Sequence, residues 1–430
     1  MKTKETYENL SEYCGFQNLP EGLPELYIDY KADEQTVLIN RTFLNKIFNQ
    51  YELSEEKRQA FLQALESIEQ NSKLFQFTRF LVSDMCSARN RCDVDNYTNL
   101  TPAQGMQHPE FYSLLLLLAC VEPAMKKLAR RGVPKEYYEE IPFRPMKAQF
   151  QKYIEKNDVT VSDFPWDMNF YTCSIFLFDR FLFIPYKFGD AFSMYRHAKN
   201  GKVVALSHKG ICFRRDGQYD GINDVYDKKG AFQSIWEEND ESITANRINP
   251  MGFAEKQPIT LLKSEWQLAL SEGDLLLALH IPSGPGYTPD KLKSSMRLAL
   301  DFYEQYYPEL PIKGFWSESW LYDSHLSLVL DNDKSNIVRV QRQFYNYPIQ
   351  EGDNMLRYEL FGDWKADPQK VELKTSLQKS AATYMASGAR FNTTSMIVLK
   401  DEADKMGQEP YITEEDIKHF HQIVDSHLKG

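Results

Sequence analysis

Residues 277–303, LALHIPSGPGYTPDKLKSSMRLALDFY, join an apolar run to an amphipathic helix through a turn with two prolines and two glycines. The segment from Asp274 to Ile281 is nearly all apolar, which predicts a central strand covered on both faces. Thr288 predicts a helix N-cap and Pro289 the first helical position, with Leu292, Met296, Ala299 or Leu300, Tyr303 and Tyr307 as the buried stripe. Ser283-Gly284-Pro285-Gly286 therefore sits between a strand end and a helix amino terminus. Backbone N–H groups and the helix dipole favour an anion there, and glycine lets a phosphate come close. The chemistry these residues suit is recognition of a pyrophosphate. Lys291 and Lys293 lie in the first turn, where the dipole disfavours a cation and a bound anion would account for them. The plainer alternative is an ordinary strand-to-helix turn whose dipole is already complemented by Asp290. The loop has neither the GKS or GKT ending of a P-loop nor the full GxGxxG spacing.

The elements that must position this loop follow from periodicity and punctuation. At 430 residues the chain exceeds what one core usually serves, so two domains are expected. From Ser54 to about Met85 the pattern is helical, with Phe61, Leu62, Leu65 and Ile68 on one face. A second helix is predicted from Pro109 to Arg131, stopped by Gly132 and Pro134. Tyr137 to Lys156 gives a third helical region, interrupted near Pro142 and Pro145. Residues 1–164 thus read as a helical domain. Beyond it, short aromatic and β-branched runs separated by turns at Lys199–Gly201, Asp216–Gly217 and Asn249–Gly252 predict a meandering antiparallel sheet. From Asp274 the order becomes strand, loop, helix over 288–307, then strand over 312–316. A short helix capped by Ser335 should follow, then a hairpin of FYNYPI with NMLRYELF, then a long helix from Asp367 to Ala386. Residues 165–400 form one domain in this reading, an α/β (α+β) arrangement of mixed sheet and helices, and 401–430 a helical tail.

The net charge of −11 speaks against a nucleic-acid partner or an anionic membrane surface, because phosphate contacts need clustered Lys and Arg. The longest apolar run, Leu114 to Val121, is too short to span a bilayer. The amino terminus lacks the apolar core of a secretion signal, so a cytoplasmic location is expected. Six cysteines, among them Cys86 and Cys92, show no CxxC spacing, and no HExxH or EF-hand pattern occurs. No metal and no disulfide framework are expected. Oligomeric state is not written in the sequence.

The stretch from Trp266 to Phe344 resembles the carboxy-terminal domain of a bacterial family of GNAT-like acyltransferases. Gly273-Asp274, His280-Ile281-Pro282, Thr288-Pro289, Ser319-Trp320-Leu321 and Ser335-Asn336-Ile337 carry the resemblance. The Leu-rich helix and RRGVP resemble more loosely the helical N-acyltransferase-type N-terminal domain of the same family. The resemblance implies an acyl-coenzyme A binding fold in which the strands flanking the loop splay to admit the pantetheine. Ser283, Gly284, Gly286, Thr288 and Lys291 would then hold the coenzyme. One position departs from the general GNAT loop, which carries Gln or Arg three residues before the first glycine. Ile281 stands there in this chain.

Acyl transfer to an amine needs a base for the ammonium proton, donors for the oxyanion and an acid for the thiolate. His280 and Glu318, at the ends of the two strands, are the candidate bases. The bland readings are a packed histidine and a solvated loop acid. Aromatic neighbours in FWSESW would raise the Glu318 pKa if it is buried. Tyr287 in the loop and Tyr322 after Ser319-Trp320-Leu321 are the candidate acids. The expected activity is acyl-coenzyme A-dependent transfer to an unidentified small-molecule amine. The rival is a GNAT-like fold without catalysis that binds a ligand or a protein partner. A phosphate-ester enzyme on the same loop lacks any metal motif.

Overall fold

A computed structural model describes residues 6–32, 37–87, 97–138, 140 and 143–428. Contacts divide the chain into two compact units, 1–177 and 178–430. Cys92 and Pro142 lie outside the described residues, and the other five cysteines are free thiols.

The first unit is helical: α1 (Tyr7–Cys14), α2 (Leu23–Asp29), α3 (Arg41–Gln50), α4 (Glu55–Gln70), α5 (Ser72–Met85), α6 (Tyr112–Arg130), α7 (Arg144–Lys156) and α8 (Phe164–Tyr171). The single helix expected over 54–85 is two. Asn71 leaves the helical region, and its side chain caps α5 by accepting from the Leu74 N–H at 3.1 Å. An Asn offers the backbone this local alternative, which periodicity alone does not reveal. The expected helix 137–156 starts only at Arg144, after a separate 3-10 turn at Lys135–Tyr137. In α6, Leu114 to Val121 are buried on every side, which is why the run reads as uniformly apolar.

The second unit holds two larger sheets. Its strands are β1 (Phe176–Phe178, at the boundary), β2 (Phe181–Lys187), β3 (Phe192–His197), β4 (Val203–Ser207), β5 (Cys212–Phe213), β6 (Phe232–Gln233), β7 (Trp236–Glu238), β8 (Ser242–Asn249), β9 (Phe253–Leu262), β10 (Trp266–Leu270), β11 (Leu275–His280), β12 (Ile312–Ser319), β13 (Tyr345–Pro348) and β14 (Thr394–Leu399). Its helices are α9 (Pro289–Tyr306), α10 (Asn336–Gln341), α11 (Asn354–Phe361), α12 (Ser376–Ala386) and α13 (Glu414–Leu428). One sheet runs β2-β11-β12-β14-β13; the other is the expected antiparallel meander, β10-β3-β4-β8-β7 with β9 on β8. Phe192, Met194, Ile248, Leu276, Tyr345 and Ile397 belong to the core these sheets share. The unit is a mixed sheet with flanking helices, as an α/β class predicts.

Two sequence expectations fail here. NMLRYELF is not a hairpin strand but α11, closed by the left-handed Gly362. Arg357 forks onto Asp353 four residues earlier, at 2.7 and 2.9 Å, and such pairing favours the helix that an eight-residue pattern leaves ambiguous. The helix expected from Asp367 starts at Ser376, where Thr375 and Gln378 form a capping box. Tight packing fixes β12 beside β14: a Cβ on Gly314 would stand 2.2 Å from the Val398 carbonyl oxygen.

Candidate functional site

The site is built where β11 and β12 part. They pair in parallel from Leu275 and Ile312 to Ala278 and Trp316, and the ladder then stops although β11 continues to His280 and β12 to Ser319. Ser317 spans the gap with a side chain, its Oγ donating to the Leu279 carbonyl at 2.8 Å. The Tyr322 hydroxyl donates in turn to Ser317 Oγ at 2.9 Å. Tyr287 brings its own hydroxyl beside Tyr322; burial, then that neighbour, pushes its phenol well above the usual tyrosine range. Burial also raises the Tyr322 phenol. Both therefore keep their protons at neutral pH, the Tyr322 proton engaged with Ser317.

The loop between β11 and α9 is shaped by a residue that no motif signals. Arg180, in the turn between β1 and β2, donates from Nε to the Pro285 carbonyl at 2.7 Å and from Nη2 to the Pro282 and Gly284 carbonyls at 2.5 and 2.9 Å. In a trans peptide the N–H points opposite to the carbonyl before it. The N–H groups of Ser283 and Gly286 are therefore turned away from the guanidinium. Gly284 and Gly286 adopt φ of +120° and +96°, which glycine reaches without strain. Thr288 caps α9 as expected, accepting from the Lys291 N–H. Lys291 differs from the expectation of a cation awaiting an anion: its Nζ is paired with Asp179 at 2.9 Å. Asp179 and Arg180 are consecutive, so one turn pins both the loop and the helix that follows it.

Strand alternation puts the remaining candidates on the opposite face. Ala278 is opposite Trp316, so His280 and Glu318 share that face, whereas Ser317 and Tyr322 belong to the other. His280 is half-buried opposite Leu182 of β2. Glu318 lies opposite Ser395 of β14 and reaches solvent. Its carboxyl is nevertheless pushed up, first by partial burial and then by the charges of Glu351 and Asp190. Below it Trp316 stacks on Tyr186 with centroids 4.1 Å apart and donates from Nε1 to Tyr347 at 2.8 Å. Tyr347 in turn donates to Asp190, whose carboxyl burial raises. The gap between the strands thus has protonated phenols on one face and a basic carboxylate on the other. Tyr287 and the loop residues come together as the sequence suggested. Ser317, Asp190 and Arg180 could not be found from spacing, because each reaches the site from a different strand or turn.

A mixed sheet that opens between parallel strands, beside a glycine loop at a helix amino terminus, defines a GNAT-like acyltransferase fold. Residues 192–397 match the GNAT-like C-terminal domain, and residues 42–173 match the N-acyltransferase N-terminal domain. Together they take in most of the chain, and it belongs to the GNAT-like N-acyltransferase family. Among curated proteins none matches. Solved structures share the fold at low identity. An acyltransferase mutant in complex with octanoyl-CoA is 14% identical, with a TM-score of 0.55 over 91% of this chain and 98% of its own. An acyltransferase in complex with decanoyl-CoA is 14% identical, with a TM-score of 0.53 over 92% and 99%. One in complex with decanoyl-CoA and teicoplanin is 14% identical, with a TM-score of 0.54 over 92% and 99%.

Proposed function

We propose that the protein transfers an acyl group from acyl-coenzyme A to an amine on a small molecule. The observation that carries this reading is the opened β11–β12 seam, flanked by the Arg180-held loop and by Glu318. The acyl-CoA held by fold relatives supports it. In this reading the N–H groups of Ser283 and Gly286 meet the pyrophosphate, with Gly284 and Thr288 shaping the turn. Lys291 acts through Asp179 to hold the loop in place. Glu318 takes the proton from the acceptor ammonium, and burial with the charges of Glu351 and Asp190 makes it a stronger base than an ordinary glutamate. The amine nitrogen then bonds to the thioester carbonyl carbon, the carbon–sulfur bond breaks, Tyr287 supplies the proton that leaves coenzyme A as a thiol, and the second nitrogen proton, lost as the amide forms, restores the Tyr287 phenol. His280 stands on the Glu318 face as the second candidate base.

Ile281, in place of the polar residue of the general loop pattern, favours a second reading in which the fold binds a ligand without turning it over. Calorimetric titration with coenzyme A and octanoyl-coenzyme A, followed by thiol release in the presence of amines, separates the two. Transfer predicts binding that Gly286→Asp abolishes, since an acid there repels the pyrophosphate, and amine-dependent thiol release. Binding without thiol release from any amine would establish the second reading. No binding at all would make the loop a structural turn.

A further inference from the structure

Away from the seam, the second unit encloses a cavity of about 240 Å³. Five segments wall it: the turn after β5 with Arg214 and Asp216, the start of β9 with Phe253, the 3-10 turn bearing His325, the segment from α12 to β14 with Tyr384 and Arg390, and α13 with Phe420. It uses none of the residues assigned to acyl transfer.

The polar groups of this cavity are built rather than incidental. Arg214 is only 3% exposed, and its guanidinium is held by Asp216 at 3.1 Å and by the Ile222 carbonyl at 3.1 Å. His325 Nδ1 is tied to Asp323 at 2.7 Å, and the other oxygen of that buried carboxylate accepts the Asn392 N–H at 2.7 Å. This fixes the imidazole ring and leaves Nε2 as its second polar atom. Phe420 meets the ring edge-to-face at 5.2 Å. Arg390 differs from the other two cations. Its guanidinium donates to its own loop, to the Ala389 carbonyl at 3.1 Å, and among the described residues no carboxylate pairs with it.

The charge balance selects an occupant. Arg214 is paired with Asp216 and His325 with Asp323, so Arg390 is the lining basic residue left without a carboxylate partner among the described residues. Phe253, Tyr384 and Phe420 supply apolar walls, and the volume suits one ring rather than a long chain. We propose that this cavity is a ligand site for a small aromatic monocarboxylate, with the carboxylate on Arg390 and His325 Nε2 and the ring among the three aromatic side chains. The charged and titratable groups facing His325 are Asp323, Asp216, Arg214, Tyr384 and Arg390. Asp323 raises the imidazole pKa against the opposing effect of burial, which favours the donor form a carboxylate needs.

The full chain titrated calorimetrically with benzoate and with uncharged benzamide tests the assignment. The site predicts benzoate binding with a Kd of roughly 1 mM or tighter, and benzamide at least about tenfold weaker. Arg390→Gln, at an exposed side chain, should weaken benzoate by roughly tenfold, since a charge-assisted contact is lost. Ser387→Trp, from the rim, should block it. Coenzyme A binding should be unchanged in both variants, so this site and the acyl-transfer reading can fail separately. Equal binding of benzoate and benzamide, benzoate binding indifferent to both substitutions, or no benzoate binding would overturn the proposal.

Discussion

The hydroxyl of Tyr322 donates to the hydroxyl of Ser317 at 2.9 Å, and Ser317 passes the chain on to the Leu279 carbonyl across the opened seam. One serine thus bridges β11 and β12 beyond the end of their ladder, and it satisfies a buried phenol as it does so.

That arrangement makes the two partners unequal. Ser317→Ala removes the donor to the Leu279 carbonyl as well as the acceptor of the Tyr322 hydroxyl, and a buried polar group left without a partner costs about 1–3 kcal/mol. Tyr322→Phe leaves Ser317 its bond to Leu279 and should cost about 1 kcal/mol. Urea denaturation of the two variants should therefore rank Ser317→Ala as clearly the less stable. Equal losses would mean that Ser317 does not bridge the strands.

Arg180 holds three carbonyls of the loop at once, so its removal should affect the loop more than the fold. Arg180→Gln is expected to weaken coenzyme A binding by roughly tenfold, the equivalent of about 1.4 kcal/mol, with little change in thermal midpoint. Calorimetry beside a melting curve checks this. A large loss of stability with intact binding would assign Arg180 to the fold alone.

The pH profile should report Glu318. Burial, Glu351 and Asp190 all disfavour its charged form, so the acid limb of kcat/KM should lie above the usual glutamate range. Removing one like charge lowers a carboxyl pKa. Glu351→Gln should therefore move that limb to lower pH, whereas Glu318→Gln should reduce the rate by roughly 10²–10⁴. A limb that stays in place in Glu351→Gln would point to another base.

In the first unit, burial pushes the Asp167 carboxyl up to about 7, against a weaker lowering by Gln149. The folded state then binds this proton more tightly than the unfolded chain does. The stability it contributes is present at acid pH and is lost as pH rises from the ordinary carboxylate range through about 7. Asp167→Asn should stabilise the fold by on the order of 4 kcal/mol more at pH 8 than at pH 3, and so raise the melting temperature mainly at pH 8. A stabilisation independent of pH would rule this carboxyl out as the cause.

Much of this protein was legible from residue types alone. Thr288 and Pro289 announce the start of α9, and Ser54 and Ser335 the starts of α4 and α10, because caps act through the adjacent backbone. The glycine loop between strand and helix was equally readable. Asn71 and the segment at Asn354–Phe361 were misread, since short windows do not separate a break from a continuation, or a helix from a strand. In the site, His280, Tyr287 and Glu318 were named from position along the chain. The strand register then sorted them, with Tyr287 on one face and His280 and Glu318 on the other.

The sequence by itself determined the local elements, the loop and the family, because caps, turn residues and apolar periodicity are properties of neighbouring residues. Only the tertiary structure decided that the Arg180 guanidinium shapes the loop, that Lys291 answers Asp179, and that Arg390 lines a pocket. Partners 100 or more residues away in the chain make the first two contacts, and five separate segments make the third. No local rule encodes such distances; they follow from the order in which strands pair and from which face of the sheet each side chain is given.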